Sequence, residues 1–326
     1  MHIMRAEVPG PTVGKLVPRL KDTARILYLI YIGLTALEAI ILRFAGMSAY
    51  DAILHAFATA GTGGFSTMAN SIAAFNSKQI ETILAIFMIL FGVNFNLYYL
   101  ILIRSYRKAL MNEELHVYLM IILIATAIIT SMLHSVQHVQ FSAAAHDAFF
   151  SVATIMSTTG FGTIDFTMWP ELCKWILILL MFCGGCAGST AGGMKLSRIM
   201  ILFKSSYVEL RRISRPRNIV RVSMDHERVA DDTVRAINQF AVLYFMLLLI
   251  FSFLISLDGV DIATAFTASL SCLSNIGPGM TTIIGPAGSF AIFSTRSKLF
   301  LTIAMLLGRL EIYPILLLLL PRTWRR

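Results

Sequence analysis

The stretch Ser157-Thr-Thr-Gly-Phe-Gly-Thr163 closes an apolar run and combines hydroxyl side chains with glycines. Glycine reaches positive-φ backbone conformations that other residues avoid. Successive carbonyls of such a loop can therefore point the same way and replace the water shell of a dehydrated cation. That chemistry is coordination by the backbone, and no side chain has to ionise or react. A single copy of the motif would be an ordinary turn, so the number of copies decides its meaning.

There are three copies. Asp51-Ala-Ile-Leu-His-Ala-Phe-Ala-Thr-Ala-Gly-Thr-Gly-Gly-Phe-Ser66 aligns without gaps on Asp147-Ala-Phe-Phe-Ser-Val-Ala-Thr-Ile-Met-Ser-Thr-Thr-Gly-Phe-Gly162. Ala265-Phe-Thr-Ala-Ser-Leu-Ser-Cys-Leu-Ser-Asn-Ile-Gly-Pro-Gly279 matches from Ala148 onward. The equivalent loop residues are Thr62, Gly63 and Gly64, then Thr158, Thr159 and Gly160, then Asn275, Ile276 and Gly277. Thr158-Thr-Gly-Phe-Gly162 shares the Thr-x-Gly-aromatic-Gly spacing of the potassium-channel loop. The helix that each copy predicts ahead of its loop turns its negative dipole end toward the bound ion. Asp51 and Asp147 are expected at the starts of two of these helices, as caps for free amides.

The elements that must position the loops are membrane helices. With 57% hydrophobic and 14% charged residues among 326, the chain lacks the polar surface to solvate a globule of its size. Apolar runs long enough to cross a bilayer lie at Ile26 to Phe44, Ile80 to Ile103, Val117 to Val136, Trp175 to Phe203, Gln239 to Leu257 and Leu299 to Leu320. Each glycine loop falls between two of them. The helix ahead of each loop is half the length of a crossing, so it must enter and leave by one face, which is tolerated only where protein surrounds it or a water-filled cavity is lined. If both termini are cytoplasmic, 21 of the 27 Lys and Arg fall on the inner side and five on the outer side. That asymmetry accounts for the net charge of +9 without any nucleic acid.

Several further features stand apart. Gly184, Gly185, Gly188, Gly192 and Gly193 interrupt the fourth run, and glycine costs about 1 kcal/mol relative to Ala within a helix, so two half-helices with a loop between them are expected. Small-residue packing, with Gly-x-x-x-Gly spacing at Gly184 and Gly188, is the other reading. Arg309 is an isolated cation in mid-span and by default a functional residue. Glu311 points to the opposite side of that helix, which leaves Arg309 either facing a pore beneath the loops or paired with a carboxylate on another helix. Cys183-x-x-Cys186 has redox or zinc spacing but lacks a second pair, and with Cys173 and Cys272 it reads as packing rather than as a disulfide framework. An intramembrane hydrolase would need a nucleophile with its base, or a metal pair, and neither is evident, so an enzyme is not expected. The basic run from Lys204 to Arg228, with Arg211, Arg212, Arg215, Arg217 and Arg221, holds topology and touches anionic lipid.

Taken together these units resemble the Trk/Ktr/HKT potassium transporter superfamily, and within it the bacterial TrkH-type membrane subunit. The resemblance extends over Ala6-Glu-Val-Pro-Gly-Pro-Thr12, Gly184-Gly-Cys-Ala-Gly-Ser-Thr-Ala-Gly-Gly-Met-Lys195, Ser274-Asn-Ile-Gly-Pro-Gly279 and Gly308-Arg-Leu-Glu-Ile312. It implies an all-α membrane protein of six spanning helices and three re-entrant pore helices, in a pseudo-fourfold pore architecture with the first repeat missing. The implied organisation is a cytoplasmic connection over 1–22, a repeat over 23–112 with filter loop 62–67, a repeat over 113–215 with filter loop 158–163 and an intramembrane gating loop 184–193, and a repeat over 216–326 with filter loop 275–280. It also implies potassium as the transported ion at the nine loop residues named above, no covalent cofactor, and gating by the five glycines and Arg309. The implied setting is the bacterial inner membrane with both termini cytoplasmic, as a homodimer contacting lipid and a TrkA-like, nucleotide-binding regulatory subunit. Two alternatives stay open: a truncated, non-conducting fragment of such a subunit, and a secondary transporter with a broken-helix substrate site.

Overall fold

The computed structural model describes residues 20–319 apart from 215–220 and 226. Most of the 1–22 connection, including Ala6 to Thr12, lies outside the described residues, as do Arg215, Arg217 and the C-terminal arginines. The described residues are mostly helical. In order come α1 Leu20–Phe44, α2 Ala49–Ala60, α3 Lys78–Phe91, α4 Phe95–Leu102, α5 Tyr106–Leu110, α6 Glu113–Val136, α7 Phe141–Met156, α8 Glu171–Cys183 and α9 Leu196–Ser214. A two-stranded antiparallel hairpin, β1 Ser223–Met224 with β2 Glu227–Arg228, precedes α10 Asp231–Ser256, α11 Ile262–Ser274, α12 Thr295–Arg309 and α13 Ile312–Leu319.

The packing order recurs along the chain. The long helix α1 packs on the short α2, which packs on α3. In the same way α6 packs on α7 and α7 on α8, and then α10 on α11 and α11 on α12. Neighbouring trios join through α3 against α7 and through α8 against α11. The short helices are the buried members: α7 and α11 bury Ser151, Thr154, Thr264, Thr267, Ser269 and Ser271, polar groups that hydrocarbon would not accept. The long helices expose apolar side chains instead, such as Leu119, Leu123 and Ile124 on α6 and Leu249, Ile250 and Phe253 on α10. Continuous apolar faces of this kind suit lipid and not water.

Local chemistry fixes the helix starts. Ser48 caps α2 by accepting the Asp51 N–H at 3.0 Å. Ser77, Asn112, Asp261 and Ser294 cap α3, α6, α11 and α12 in the same manner. Asp258 ties the α10–α11 turn to the start of α12, accepting the N–H and the hydroxyl of Ser294 at 2.8 Å each. These bonds, the backbone one first, hold its carboxyl below the usual range. The expected capping by Asp51 and Asp147 is corrected here: the Asp51 carboxylate stands at the start of α2 but accepts the hydroxyls of Ser48 and Thr67 at 2.7 Å each, and α7 begins at Phe141, which leaves Asp147 in its second turn, beside His146 at 3.7 Å. Polar and small residues ahead of Asp147 extend the helix N-terminally, so the carboxylate caps nothing.

Three of the six expected spans are broken. Ala24–Phe44, Glu113–Val136 and Asp231–Ser256 are long and apolar enough to cross a membrane unbroken. The Ile80 to Ile103 run bends by 88° between α3 and α4. Two bonds shape it: Asn94 turns its side-chain oxygen to the Asn96 N–H at 2.9 Å to start α4, and the Gly92 carbonyl accepts the Cys186 N–H at 2.9 Å from a distant loop. The Leu299 to Leu320 run breaks at Glu311, which has φ of +64° and pairs with Arg198 of α9 at 2.9 Å. The fourth run leaves the helix between Cys183 and Leu196.

The bend makes a stability prediction. A Cβ on Gly92 would collide with the Tyr118 hydroxyl, whereas one on Gly33 in α1 would meet nothing within 4 Å. Gly92→Ala should therefore cost about 1–3 kcal/mol through overpacking. Gly33→Ala should be neutral or gain up to about 1 kcal/mol through helix propensity. Melting of the two variants in detergent micelles checks the ranking.

Candidate functional site

The C-termini of α2, α7 and α11 end in one and the same way. Thr62, Thr158 and Asn275 stand just past the three helices with φ of +49°, +57° and +57°. Their N–H groups turn back to Thr59, Ile155 and Cys272 carbonyls at 3.0, 3.0 and 3.2 Å. The next N–H groups, of Gly63, Thr159 and Ile276, reach back to Ala58, Thr154 and Ser271 carbonyls at 2.7, 3.0 and 2.9 Å. This pair of bonds is the Schellman closure of a helix, with a left-handed residue at its hinge. Gly64, Gly160 and Gly277 follow, again left-handed, with φ of +65°, +85° and +115°. The amides of each loop are thus spent on its own helix, and its carbonyls are free to face elsewhere.

Those carbonyls face the neighbouring loop. A Cβ on Gly64 would collide with the Thr159 carbonyl oxygen, and one on Gly160 with the Ile276 carbonyl oxygen. The loops stand in the order first, second, third, and the second and third each press a backbone carbonyl against the glycine of the loop before. Gly277 has no such neighbour, since a Cβ there would meet nothing within 4 Å. On that side a cavity of about 500 Å³ opens, lined by Gly61, Thr62 and Phe65 of the first loop, Ile276 and Gly277 of the third, and Arg309.

The segment from Gly184 to Lys195 is bound directly to these loops. Thr158 Oγ1 accepts the Gly192 N–H at 2.6 Å, and the Ser274 carbonyl accepts the Gly193 N–H at 3.1 Å. Thr62 Oγ1 donates to the Thr190 carbonyl at 3.0 Å. Tyr244 steadies the third contact from behind, its hydroxyl 2.7 Å from Ser274 Oγ. The approach is close enough that a Cβ on Gly192 would collide with the Ser274 carbonyl. Three cationic or anionic groups then hold the segment: Arg309 Nη1 donates to Thr190 O at 2.8 Å, Lys195 Nζ donates to Ala191 O, and Glu114 accepts Ala187 N–H at 2.8 Å.

The structure brings all fifteen sequence-selected residues into one contiguous region, with two changes of detail. Arg309 neither faces open space alone nor pairs with a carboxylate; its guanidinium lies on the cavity wall and binds a loop carbonyl. Glu311 instead pairs with Arg198. Left-handed backbone at two threonines was not read from the sequence, because a β-branched residue at positive φ is an outlier. The signal was there in the shared Thr-x-Gly spacing. Glu114, Thr190 and Lys195 were also missed as site residues: Glu114 stands ahead of an apolar run like an ordinary helix-end residue, and Lys195 follows the glycines inside the fourth run. The four cysteines are free, and among the described residues no group of His, Cys, Asp and Glu could hold a metal ion.

Residues 1–325 match the TrkH family, described as a cation transport protein. The chain is 36% identical over 329 residues to the Trk system potassium uptake protein TrkH of Salmonella typhimurium, covering 100% of this chain and 67% of that protein. It is 35% identical over 328 residues to the Trk system potassium uptake protein TrkG of Escherichia coli K12, covering 99% of this chain and 66% of that protein. The crystal structure of the potassium transporter TrkH from Vibrio parahaemolyticus superposes with a TM-score of 0.87 at 32% identity, over 96% of this chain and 67% of that one.

The loop contacts rank three substitutions. Gly160→Ala and Gly64→Ala combine left-handed backbone with a collision, whereas Gly277→Ala meets left-handed backbone alone. The first two should destabilise the protein by about 1–3 kcal/mol more than the third. Melting temperatures of the purified variants test the order.

Proposed function

The chain belongs to the TrkH family of cation transport proteins, and we propose that it passes potassium through a filter of backbone carbonyls at Thr62, Gly63, Gly64, Thr158, Thr159, Gly160, Asn275, Ile276 and Gly277. The observation that carries this reading is the threefold Schellman closure, which commits each loop's amides to its own helix and turns carbonyls toward the neighbouring loop. α2, α7 and α11 are then re-entrant pore helices within three repeats over 23–112, 113–215 and 216–326. The relatives, Trk potassium uptake proteins, support potassium as the ion.

The segment 184–193 acts as the gate. It hydrogen-bonds to Thr62, Thr158 and Ser274 at the helix-side end of the loops, where an ion leaving the filter must pass. Arg309 both clasps the gate through Thr190 and adds a positive charge to that passage. Two unit charges about 5 Å apart at an effective dielectric near 20 repel by roughly 3 kcal/mol. The setting is the bacterial inner membrane with both termini cytoplasmic, in a homodimer. Arg211, Arg212 and Arg221 would meet a peripheral TrkA-like, nucleotide-binding regulatory subunit, a contact suggested by the Trk system to which the relatives belong.

A second reading is favoured by the open cavity between the first and third loops. On that reading the chain supplies three sides of the filter and conducts only when a fourth loop covers the remaining side. Rubidium uptake into proteoliposomes separates the two. Uptake by the folded chain alone supports the first reading, and a folded chain without uptake supports the second.

In the conducting state, Gly160→Ser should reduce discrimination between potassium and sodium, read from reversal potentials in mixed salts. An unchanged permeability ratio would remove the loop from the filter. Arg309→Ala should raise rubidium flux, by up to about two orders of magnitude before screening by pore water. Arg309→Lys keeps the charge and should stay near wild type. Equal flux for Arg309→Ala and wild type would leave Arg309 a purely structural clasp.

A further inference from the structure

Both stems of the segment 184–197 are held by one buried carboxylate. Glu114, in the first turn of α6, accepts the Ala187 N–H at 2.8 Å and the Ser197 N–H at 2.9 Å on the same oxygen, Oε1. Ala187 lies on the way into the loop and Ser197 at the start of α9 on the way out, so one atom sets the separation of the two stems. Removing that oxygen would leave two amides of the segment without their partner, and a buried donor left unsatisfied costs more than the bond itself contributes. Arg309, Thr62 and Thr158 grip the loop's crown, and Glu114 grips only its base.

The two residues before Glu114 look the other way. Glu113 binds Lys204 of α9 through Oε1 at 2.5 Å and accepts the Asp225 N–H at 3.2 Å through Oε2. Asp225, in the turn of the hairpin with φ of +52°, returns two bonds: its carboxylate accepts Glu113 N–H at 2.7 Å and Asn112 Nδ2–H at 2.8 Å. Lys204 also donates to the Ser223 carbonyl at 2.9 Å. Hairpin, α9, loop and the start of α6 therefore meet at three consecutive residues.

We infer that Asn112-Glu113-Glu114 is a coupling joint, in which Glu114 is a positioning residue for the 184–197 loop and Asp225 transmits displacement of the β1–β2 hairpin to that loop. The inference rests on the gate reading for its consequence but not for its geometry. A shift of the hairpin moves the first turn of α6 through Asp225. Glu114 is rigidly part of that turn, so both loop stems move with it.

Hydrogen–deuterium exchange of the full chain in detergent tests the joint, using Glu114→Ala, Glu114→Gln and Asp225→Ala. Exchange over 184–197 should quicken about tenfold in Glu114→Ala, through the loss of the acceptor shared by the Ala187 and Ser197 amides. Glu114→Gln keeps a neutral acceptor and should fall between it and wild type. Asp225→Ala should quicken the same segment severalfold although it does not touch it, while 154–163 and 271–277 stay as in wild type. Unchanged exchange over 184–197 in Glu114→Ala would overturn the positioning role. An Asp225→Ala effect confined to 112–113 and 223–228 would overturn the transmission. An equal rise across the filter segments would overturn both in favour of general loosening. Faster loop exchange with unchanged rubidium flux would support the joint and overturn the gate reading instead.

Discussion

An unpaired backbone amide or carbonyl at membrane depth costs several kcal/mol, and the three glycine loops and segment 184–193 are arranged around that constraint. Three helices stop inside the fold and a fourth stretch of apolar chain abandons the helix for about a dozen residues. Each stop is answered by specific partners. The amides of the three glycine loops close back on α2, α7 and α11. Loop 184–193 in turn finds its partners in those loops, in the Gly92 bend and in Glu114. Irregular backbone is affordable here only because each irregular piece completes another.

This mutual completion is also what places strain at the centre. Threonine in the left-handed region costs on the order of 1–3 kcal/mol and persists only where its surroundings over-determine it. Thr62 and Thr158 are over-determined twice, by the helix closure behind them and by the contacts of their hydroxyls with segment 184–193. The three loops and segment 184–193 are consequently one hydrogen-bonded object. A displacement of that segment would release the hydroxyls that help to hold the hinge residues, and with them the geometry of the carbonyls beside them.

The sequence made some of this legible and concealed the rest for physical reasons. Long helices were readable because a bilayer demands apolar runs of fixed length, and α1, α6 and α10 follow that demand. Three glycine loops were readable because the motif recurs at equivalent places, from Gly64 to Gly160 to Gly277. The breaks at Gly92 and Glu311 were concealed, since hydropathy does not register a bend whose cause is a partner far along the chain: Cys186 for one and Arg198 for the other. Asp147 was misplaced because small residues upstream prolong its helix without changing the local motif. Arg309 stood out as a mid-span cation, but the carbonyl it binds belongs to a residue, Thr190, that carries no signal of its own.

The proposal that backbone carbonyls of the three loops hold a cation can be tested directly. Crystals of the protein grown in thallium salts, with thallium standing in for potassium, should show anomalous density beside the carbonyl oxygens of Thr159 and Ile276. That density should be displaced by potassium and not by sodium. Intact loops with no density between them, or thallium bound only at carboxylate side chains, would contradict the filter.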